Sequence, residues 1–408
     1  MKCRSCYEDL EPTDVNLGVQ SSSGVFPESV KTLVAEAELN LFQCSNCSLV
    51  QLGESLPQET LFGKTYGYRS GLNVSMVKHL NNLAEYLAGK VKLTPGFKVV
   101  DIGANDGTFL RALLAAFPKI STIAVDPTLP SWEKYYDFDC TFIPAFFSQE
   151  ILLEKEIENV GLVTSIAMLY DLPDPTKFIQ DIYDLLSPGG FWFTEQSYLP
   201  EMIRLNSYDT ICHEHLEYYS LTSLQYMFKR VGFKIQEIKF SNSNGGAIGI
   251  LLQKPPVLEK DNYFVEWLLN SEKNNPMLID RKFSHFANIV KHQISDLSSL
   301  IDGLIMNENA RVVGYGASTK GNTILQATNL DSSQILAIEE INPEKFGCFT
   351  PRTHIPITDK VGIESLNPTH KLVLPWHFRE FIIAKESDFL KKGGKLIFPL
   401  PKIEIVSY

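Results

Sequence analysis

The chain has 408 residues, 44% hydrophobic and 21% charged, a balance that supplies more than one packed core and excludes disordered and fibrous classes. A net charge of −11 with no basic run argues against tRNA, rRNA or an anionic membrane surface as partner. No uninterrupted apolar run reaches the roughly 18 residues of a spanning helix, and Met1-Lys2-Cys3-Arg4 opens no apolar signal core, so the expectation is two or three domains in a soluble, cytoplasmic protein that binds neither nucleic acid nor membrane.

Seven cysteines are present, an odd count that speaks against a disulfide framework. Four of them form two CxxC pairs, Cys3/Cys6 and Cys44/Cys47. A CxxC turn brings two thiolates within reach of one tetrahedral ion, and a second pair completes four-coordination, leaving no open position. A structural zinc is expected. The 37 residues between the pairs exceed the usual zinc-ribbon gap of roughly 15–20. Their alternation at Leu17 and Val19, and again at Val25 and Phe26, predicts short strands.

From Val99 a short apolar run ends at Asp101-Ile102, followed by Gly103 and Gly107 and then an amphipathic segment with Phe109, Leu110, Leu113 and Leu114. Strand, glycine turn and helix make the first unit of a doubly wound sheet, with ligand at the strand's carboxyl end. The spacing Asp-x-Gly-x-Asn-Asp-Gly is not the dinucleotide pattern. Its acidic residues would repel a pyrophosphate and suit a cationic ligand such as S-adenosylmethionine. A second strand, Ser121 to Val125, ends in Asp126-Pro127, about 20 residues on, where a carboxylate can accept from ribose hydroxyls. A further strand from Leu162 runs to Met168-Leu169. The cofactor residues expected on this basis are Asp101, Gly103, Asn105, Asp106, Gly107, Asp126, Pro127, Met168 and Leu169. A helix from Lys177 to Leu186, a Pro188-Gly189-Gly190 turn and a strand from Phe191 to Glu195 complete the order found in class I methyltransferases. The alternative at this point is another nucleotide-binding α/β unit.

Residues 195–220 follow that last core strand, and within them His213, Glu214, His215, Tyr218 and Tyr219 fall in seven positions. Histidine is the side chain best poised to take a proton near neutral pH. On a helix the i, i+2 spacing of the two histidines would face them apart; in a turn or extended segment only one side faces the pocket. Core packing or metal ligation is the competing reading, and no third ligand is obvious.

After Asn244-Gly245-Gly246 comes a strand, Ala247 to Gln253, and then a helical stretch over 258–308 with an apolar stripe that includes Phe286, Ile289, Leu297 and Ile301. Arg311 to Gly314 predicts a strand entering Gly314-Tyr315-Gly316, with Lys320 and Gly321 at the helix start. Helix amides and a lysine suit an anion. Strands at 335–338, 371–374 and 395–398 predict a second parallel sheet.

Taken together, the paired CxxC knuckle, Asp-Ile-Gly-Ala-Asn-Asp-Gly (101–107), Asp-Thr-Ile-Cys-His-Glu-His (209–215), Asn-Gly-Gly (244–246), Gly-Tyr-Gly-Ala-Ser-Thr-Lys-Gly-Asn (314–322), Thr-His-Ile-Pro-Ile (353–357) and Pro-Trp (375–376) resemble the nucleotide-linked sugar C-3 methyltransferases that build branched deoxysugars of the tetronitrose and kijanose types. The resemblance runs from Cys3 to about Pro401. It implies an α/β protein in three parts: a zinc-binding module (1–56), a class I Rossmann-like methyltransferase domain (57–243) that binds S-adenosylmethionine, and a second Rossmann-like α/β domain (244–408) that helps hold the substrate. It implies a TDP-linked, or similarly nucleotide-linked, 4-keto sugar, deprotonated at C3 to an enolate that attacks the sulfonium methyl. His215 matches the family's general base and Glu214 its polar neighbour. Tyr66 or Tyr68 matches the tyrosine lining the sugar site. Cys212 stands where the family carries a tyrosine, and a thiol is the poorer hydrogen-bond donor. His213, Glu195, Gln196, Tyr198, Asn244, Ser318, Lys320, Asn322 and His354 are the substrate contacts expected, the pyrophosphate sitting at Lys320. The chain is expected to be a monomer or weak homo-oligomer. An O- or N-methyltransferase of another small metabolite and a non-catalytic nucleotide-sugar binding protein are the alternatives.

Overall fold

The computed structural model describes residues 1–62, 68–257 and 262–408. Three sheets organise them. The first is antiparallel and four-stranded, in the order Leu10–Ser21, Glu36–Cys44, Val50–Leu52, Glu217–Tyr218. Along Glu36–Cys44 the residues Ala37, Leu39 and Leu41 are buried and alternate with less buried neighbours, as a half-covered strand requires. Val25 and Phe26, expected in a strand, instead lie in the loop between the first two strands. The Ser-Ser-Ser-Gly run and Pro27, which has no amide to donate, favour a turn there.

The second sheet has seven strands in the order 234–241, 247–253, 186–197, 160–166, 98–102, 121–125, 141–143. The last five run parallel to one another, and the first two form an antiparallel hairpin on the edge. Alternation along the central strand sends Trp192 and Phe193 to opposite faces. Trp192 packs with Phe178, Ile182 and Phe228 of the helices Pro175–Leu185 and Leu221–Val231. Phe193 packs with Leu83, Leu87 and Leu110 of Val74–Lys90 and Thr108–Ala116. Both faces are covered, which is why these strands read as nearly unbroken apolar runs.

The third sheet has the order 357–358, 335–339, 312–315, 370–373, 395–398, 404–406, parallel except for the last strand. It is the second Rossmann-like sheet. The strand Ala247–Gln253, which the sequence groups with this C-terminal domain, belongs to the seven-stranded sheet. Gly245 and Gly246 take φ of +89° and +117° and reverse the chain so that Ser241 pairs with Ala247. The glycine pair is a hairpin turn, and the methyltransferase core extends to residue 253. The helical stretch resolves into Tyr263–Lys273, Pro276–Ile279 and Ser284–Glu308.

The three parts pack against one another. The N-terminal hairpin shares one core with the third sheet and the long helix, Leu39, Leu41 and Leu52 clustering with Phe286, Val290 and Ile301. The cysteine end packs on the methyltransferase core beside Tyr219 and Phe228. The zinc module is therefore wedged between the other two domains. No helix among the described residues is long and apolar enough to cross a membrane.

Candidate active site and metal centre

The two CxxC turns are congruent. Tyr7 and Ser48, each directly after the second cysteine, take positive φ (64° and 62°), and their amides return to the carbonyls of Cys3 and Cys44. The four sulfurs lie within 4.8 Å of one another, with Cys3–Cys47 at 3.5 Å and Cys6–Cys44 at 3.3 Å. Four thiolates at about 2.3 Å from one zinc would stand about 3.8 Å apart. The donor set fits a tetrahedral Zn²⁺ with every position filled by protein, a site that stabilises the fold and performs no chemistry.

At the carboxyl end of Lys98–Ile102 the chain enters a loop in which Gly103, Asn105 and Gly107 all have positive φ. A side chain at Gly107 would come 2.6 Å from the Tyr136 ring. A cavity of about 300 Å³ opens over this loop, lined among others by Asp101, Gly103, Asn105, Asp126, Pro127 and Met168. Asp101 is buried, and its Oδ1 accepts from Thr164 Oγ1 at 2.6 Å. Burial pushes its carboxyl up to about 7, with the nearby Asp126 acting in the same direction and the Thr164 bond against it. Asp126 accepts from the Asn105 amide on Oδ2 (2.9 Å) and from the amide and hydroxyl of Thr128 on Oδ1 (2.7 and 2.5 Å). With about two lone-pair sites per oxygen, Oδ2 keeps one acceptor site for a ribose hydroxyl. Asp106, Gly107 and Leu169 do not line the cavity. Asp106 accepts from Thr108 and from the Gly71 amide, and Asn105 bonds Ser70 and Tyr68, so these two side chains hold residues 68–71 down at the cavity rim. Leu169 is buried behind the wall. Tyr68 lines the cavity; Tyr66 lies outside the described residues. Glu195 also lines it, bonded to His79 Nε2 at 2.6 Å and accepting from Ser241 at 3.3 Å. Gln196 accepts from Thr194 at 2.9 Å. Tyr198 donates to Glu272 at 2.6 Å, and Glu272 caps the helix Leu221–Val231, so this tyrosine is tied into packing.

The segment 212–216 lies next to the wall 168–171. His215 Nδ1 is 2.8 Å from the carbonyl oxygen of Thr210. A carbonyl only accepts, so Nδ1 carries the proton and Nε2 presents its lone pair. Burial, reinforced by the Lys320 cation, lowers His215 to about 3, which keeps the ring neutral. The Tyr170 ring packs on it at 4.3 Å. Lys320, on the first turn of Thr319–Thr328, donates to Thr210 Oγ1 (3.2 Å) and the Asn244 carbonyl (2.6 Å). Glu214 is buried with neither oxygen hydrogen-bonded, against Gly24 of the zinc module, and burial raises its carboxyl. Cys212 is fully buried beside it, its thiol pushed up by the same desolvation. His213 sits on the opposite side of the segment, its Nε2 3.2 Å from the Ala37 carbonyl. The turn at 212–215, closed by the His215 amide on the Cys212 carbonyl, sends one histidine to the N-terminal sheet and one to Tyr170 and Lys320.

The remaining candidates in the C-terminal domain do not converge. Ser318 caps its helix by accepting from the Gly321 amide, Asn322 donates to the Ser23 carbonyl in the joint with the zinc module, and His354 is exposed in the turn before Ile357. Three residues close to the centre were not singled out by sequence: Tyr170, His79 and His377. His377 follows the Pro-Trp motif, is held near 3 by burial and Lys320, and leaves Nδ1 without a hydrogen bond. Its neighbour Trp376 donates to Asp209 at 2.8 Å.

Three family models match in chain order: a zinc binding domain over residues 3–62, a methyltransferase domain over 70–238 and a C-methyltransferase C-terminal domain over 242–401. C-methyltransferase NovU of Streptomyces niveus is 28% identical over 371 residues, covering 90% of this chain and 87% of that protein. Two solved structures that this chain resembles overlap less than half of it. Magnesium protoporphyrin IX methyltransferase of Synechocystis PCC 6803 gives a TM-score of 0.34 at 13% identity, over 45% of this chain and 81% of its own. The cyclopropane synthase MmaA2 of Mycobacterium tuberculosis gives 0.36 at 12%, over 49% and 92%.

Proposed function

We propose that the chain, matched in order by models of a zinc binding domain, a methyltransferase domain and a C-methyltransferase C-terminal domain, is an S-adenosylmethionine-dependent C-methyltransferase that methylates C3 of a TDP-linked 4-keto-deoxysugar, with His215 as the base. The observation that carries the reading is the fixed tautomer of His215: Nδ1–H is committed to the Thr210 carbonyl, so a neutral Nε2 is the atom that accepts a proton. A C3 proton is acidic because the adjacent C4 carbonyl takes the charge as an enolate. Nε2 removes that proton, and the Thr210 carbonyl steadies the imidazolium that forms. S-adenosylmethionine, when bound, supplies the methyl from its sulfonium to the nucleophilic carbon. Asp101 and Asp126 would hold its cationic end and its ribose. Lys320 and the amides opening Thr319–Thr328 would take the pyrophosphate, a short step from the base in the same cluster.

Incubation of enzyme and donor with substrate deuterated at C3 tests this. Loss of the label and a new carbon-bound methyl are expected, and His215→Gln should lower turnover by roughly 10²–10⁴. Retention of deuterium, or methyl on oxygen or nitrogen, overturns the reading.

A further inference from the structure

Between Cys3 and Cys6 the knuckle carries Arg4, whose side chain reaches the base segment. Nη1 donates to the carbonyls of Leu52 (3.1 Å) and Leu216 (3.2 Å), and Nε lies 3.6 Å from the Glu217 carboxylate. The Arg4 amide donates to Gln51 Oε1 at 2.9 Å, fixing the turn that bears it. The ion pair is shielded, the Arg4 and Glu217 side chains being 12% and 0% accessible. Among the described residues the Glu217 carboxylate accepts no hydrogen bond, and Arg4 is the only cation within ion-pair distance of it. A buried carboxylate without its cation is strongly unfavourable.

The clamped peptide adjoins His215. The Leu216 carbonyl also accepts from the Leu52 amide at 2.9 Å, and the Leu216 amide donates to the Tyr170 carbonyl at 2.7 Å. Tyr170 is the residue whose ring packs on the imidazole. On the other side, the His215 amide returns to the Cys212 carbonyl at 3.1 Å. The backbone on the carboxyl side of His215 is therefore held from the zinc module, through one guanidinium and the short strand pair 50–51/217–218.

We infer that Arg4 is a positioning residue for the reaction: the metal-bound knuckle fixes Arg4, and Arg4 fixes the peptide that follows the base. The inference rests on His215 being that base. A displacement of about an ångström at a reacting group can cost up to about a hundredfold in rate, so Arg4→Met in the zinc-loaded full chain should lower kcat by roughly ten- to a hundredfold. The expected pattern keeps one zinc per chain by metal analysis and leaves KM for S-adenosylmethionine within about twofold, since Arg4 does not line the donor cavity. Amide hydrogen exchange should quicken at 213–219 and not at 98–107. Arg4→Lys should recover part of the rate, because it restores the charge beside Glu217 and one carbonyl bond. Chelation of zinc from the wild-type chain should quicken exchange in the same 213–219 segment.

Wild-type kcat with wild-type exchange at 213–219 in Arg4→Met overturns the inference. So does loss of zinc from that variant, because the effect would then belong to the knuckle alone. If Arg4→Met does not fold, Arg4→Lys with unaltered kcat and exchange overturns it equally. A fully active His215→Gln chain refutes the base assignment instead, and is recognised because Arg4→Met would still loosen 213–219 in that case.

Discussion

The carboxyl of Asp101 sets a proton cost on donor binding. It is buried under the cavity floor with one hydrogen bond, from Thr164, and desolvation raises it to about 7. S-adenosylmethionine brings a sulfonium and an ammonium to this cavity, and a nearby cation favours the ionised carboxylate. The neutral fraction must then lose its proton on binding. With a free-state value of about 7, roughly one chain in ten has the carboxylate at pH 6 and about one in a hundred at pH 5. Affinity should therefore fall by roughly a hundredfold between pH 8 and pH 5, most of it below 7. Calorimetric titration in two buffers of different ionisation enthalpy should show close to one proton released at pH 6 and almost none at pH 8. Asp101→Asn separates this residue from the other groups around the cavity: its affinity should be weak and nearly flat across the range. An affinity in the wild-type chain that moves by less than about twofold from pH 5 to pH 8 would refute the assignment of Asp101 to the donor's cationic end.

Gly107→Ala should destabilise the chain by at least the ~1–2 kcal/mol of a left-handed non-glycine residue, since φ is +73° and the new carbon meets Tyr136 at 2.6 Å; urea unfolding and donor titration should show both losses. Cys44→Ser should abolish stoichiometric zinc and lower the melting temperature, and a variant that keeps one zinc per chain would contradict the four-sulfur site. Trp376→Phe removes the indole donor from the buried Asp209 carboxylate, with an expected cost of about 1–3 kcal/mol in denaturant unfolding; an unchanged midpoint would show that water replaces the bond. His215 and His377 are both held near 3, far below the unfolded value of about 6.5. Between those values the unfolded chain binds the protons and the folded chain does not, so each histidine contributes stability that is full above about pH 6.5 and is lost as pH drops toward 3, at up to about 1.4 kcal/mol per unit, while Asp101, raised to about 7, works in the opposite direction over the same window. The difference in urea midpoint between the wild-type chain and His377→Gln isolates the histidine part, and a difference that stays constant from pH 7 to pH 5 would refute the burial of His377 as a neutral ring.

What could be read from the chain alone follows the physics of spacing. The CxxC pairs announce four sulfurs because a knuckle turn is local, and the Asp-x-Gly-x-Asn-Asp-Gly loop announces its strand and helix for the same reason. Pairings that depend on distant partners were not legible. Gly245-Gly246 looks like a junction and is a hairpin turn, because only the partner strand 186–197 reveals that Ala247–Gln253 has a sheet to join. Val25 and Phe26 carry the apolar spacing of a strand but have no strand to pair with. Asp101, Gly103 and Asn105 of the glycine loop line one cavity together, yet Asp106 tethers residues 68–71 and does not face it. His213 and His215 are equivalent in sequence, and only the Ala37 and Thr210 carbonyls distinguish them. Tyr170 and His377 carry no motif at all; Tyr170 comes in by packing its ring on His215, and His377 by burial beside Lys320.

The fourth strand of the N-terminal sheet, Glu217–Tyr218, has a consequence for how this chain can be cut or recombined. The zinc-bearing segment cannot complete its own sheet until about 165 later residues, from Gly53 to Glu217, have been synthesised. A fragment ending near residue 56 would expose the open edge of Val50–Leu52, and a chimera that exchanged such a fragment between relatives would splice two foreign surfaces at the peptide beside the base. Any graft of the metal-binding end into another enzyme has to carry the stretch around 215–219 with it, or the recipient inherits an edge ready to pair with a neighbouring molecule.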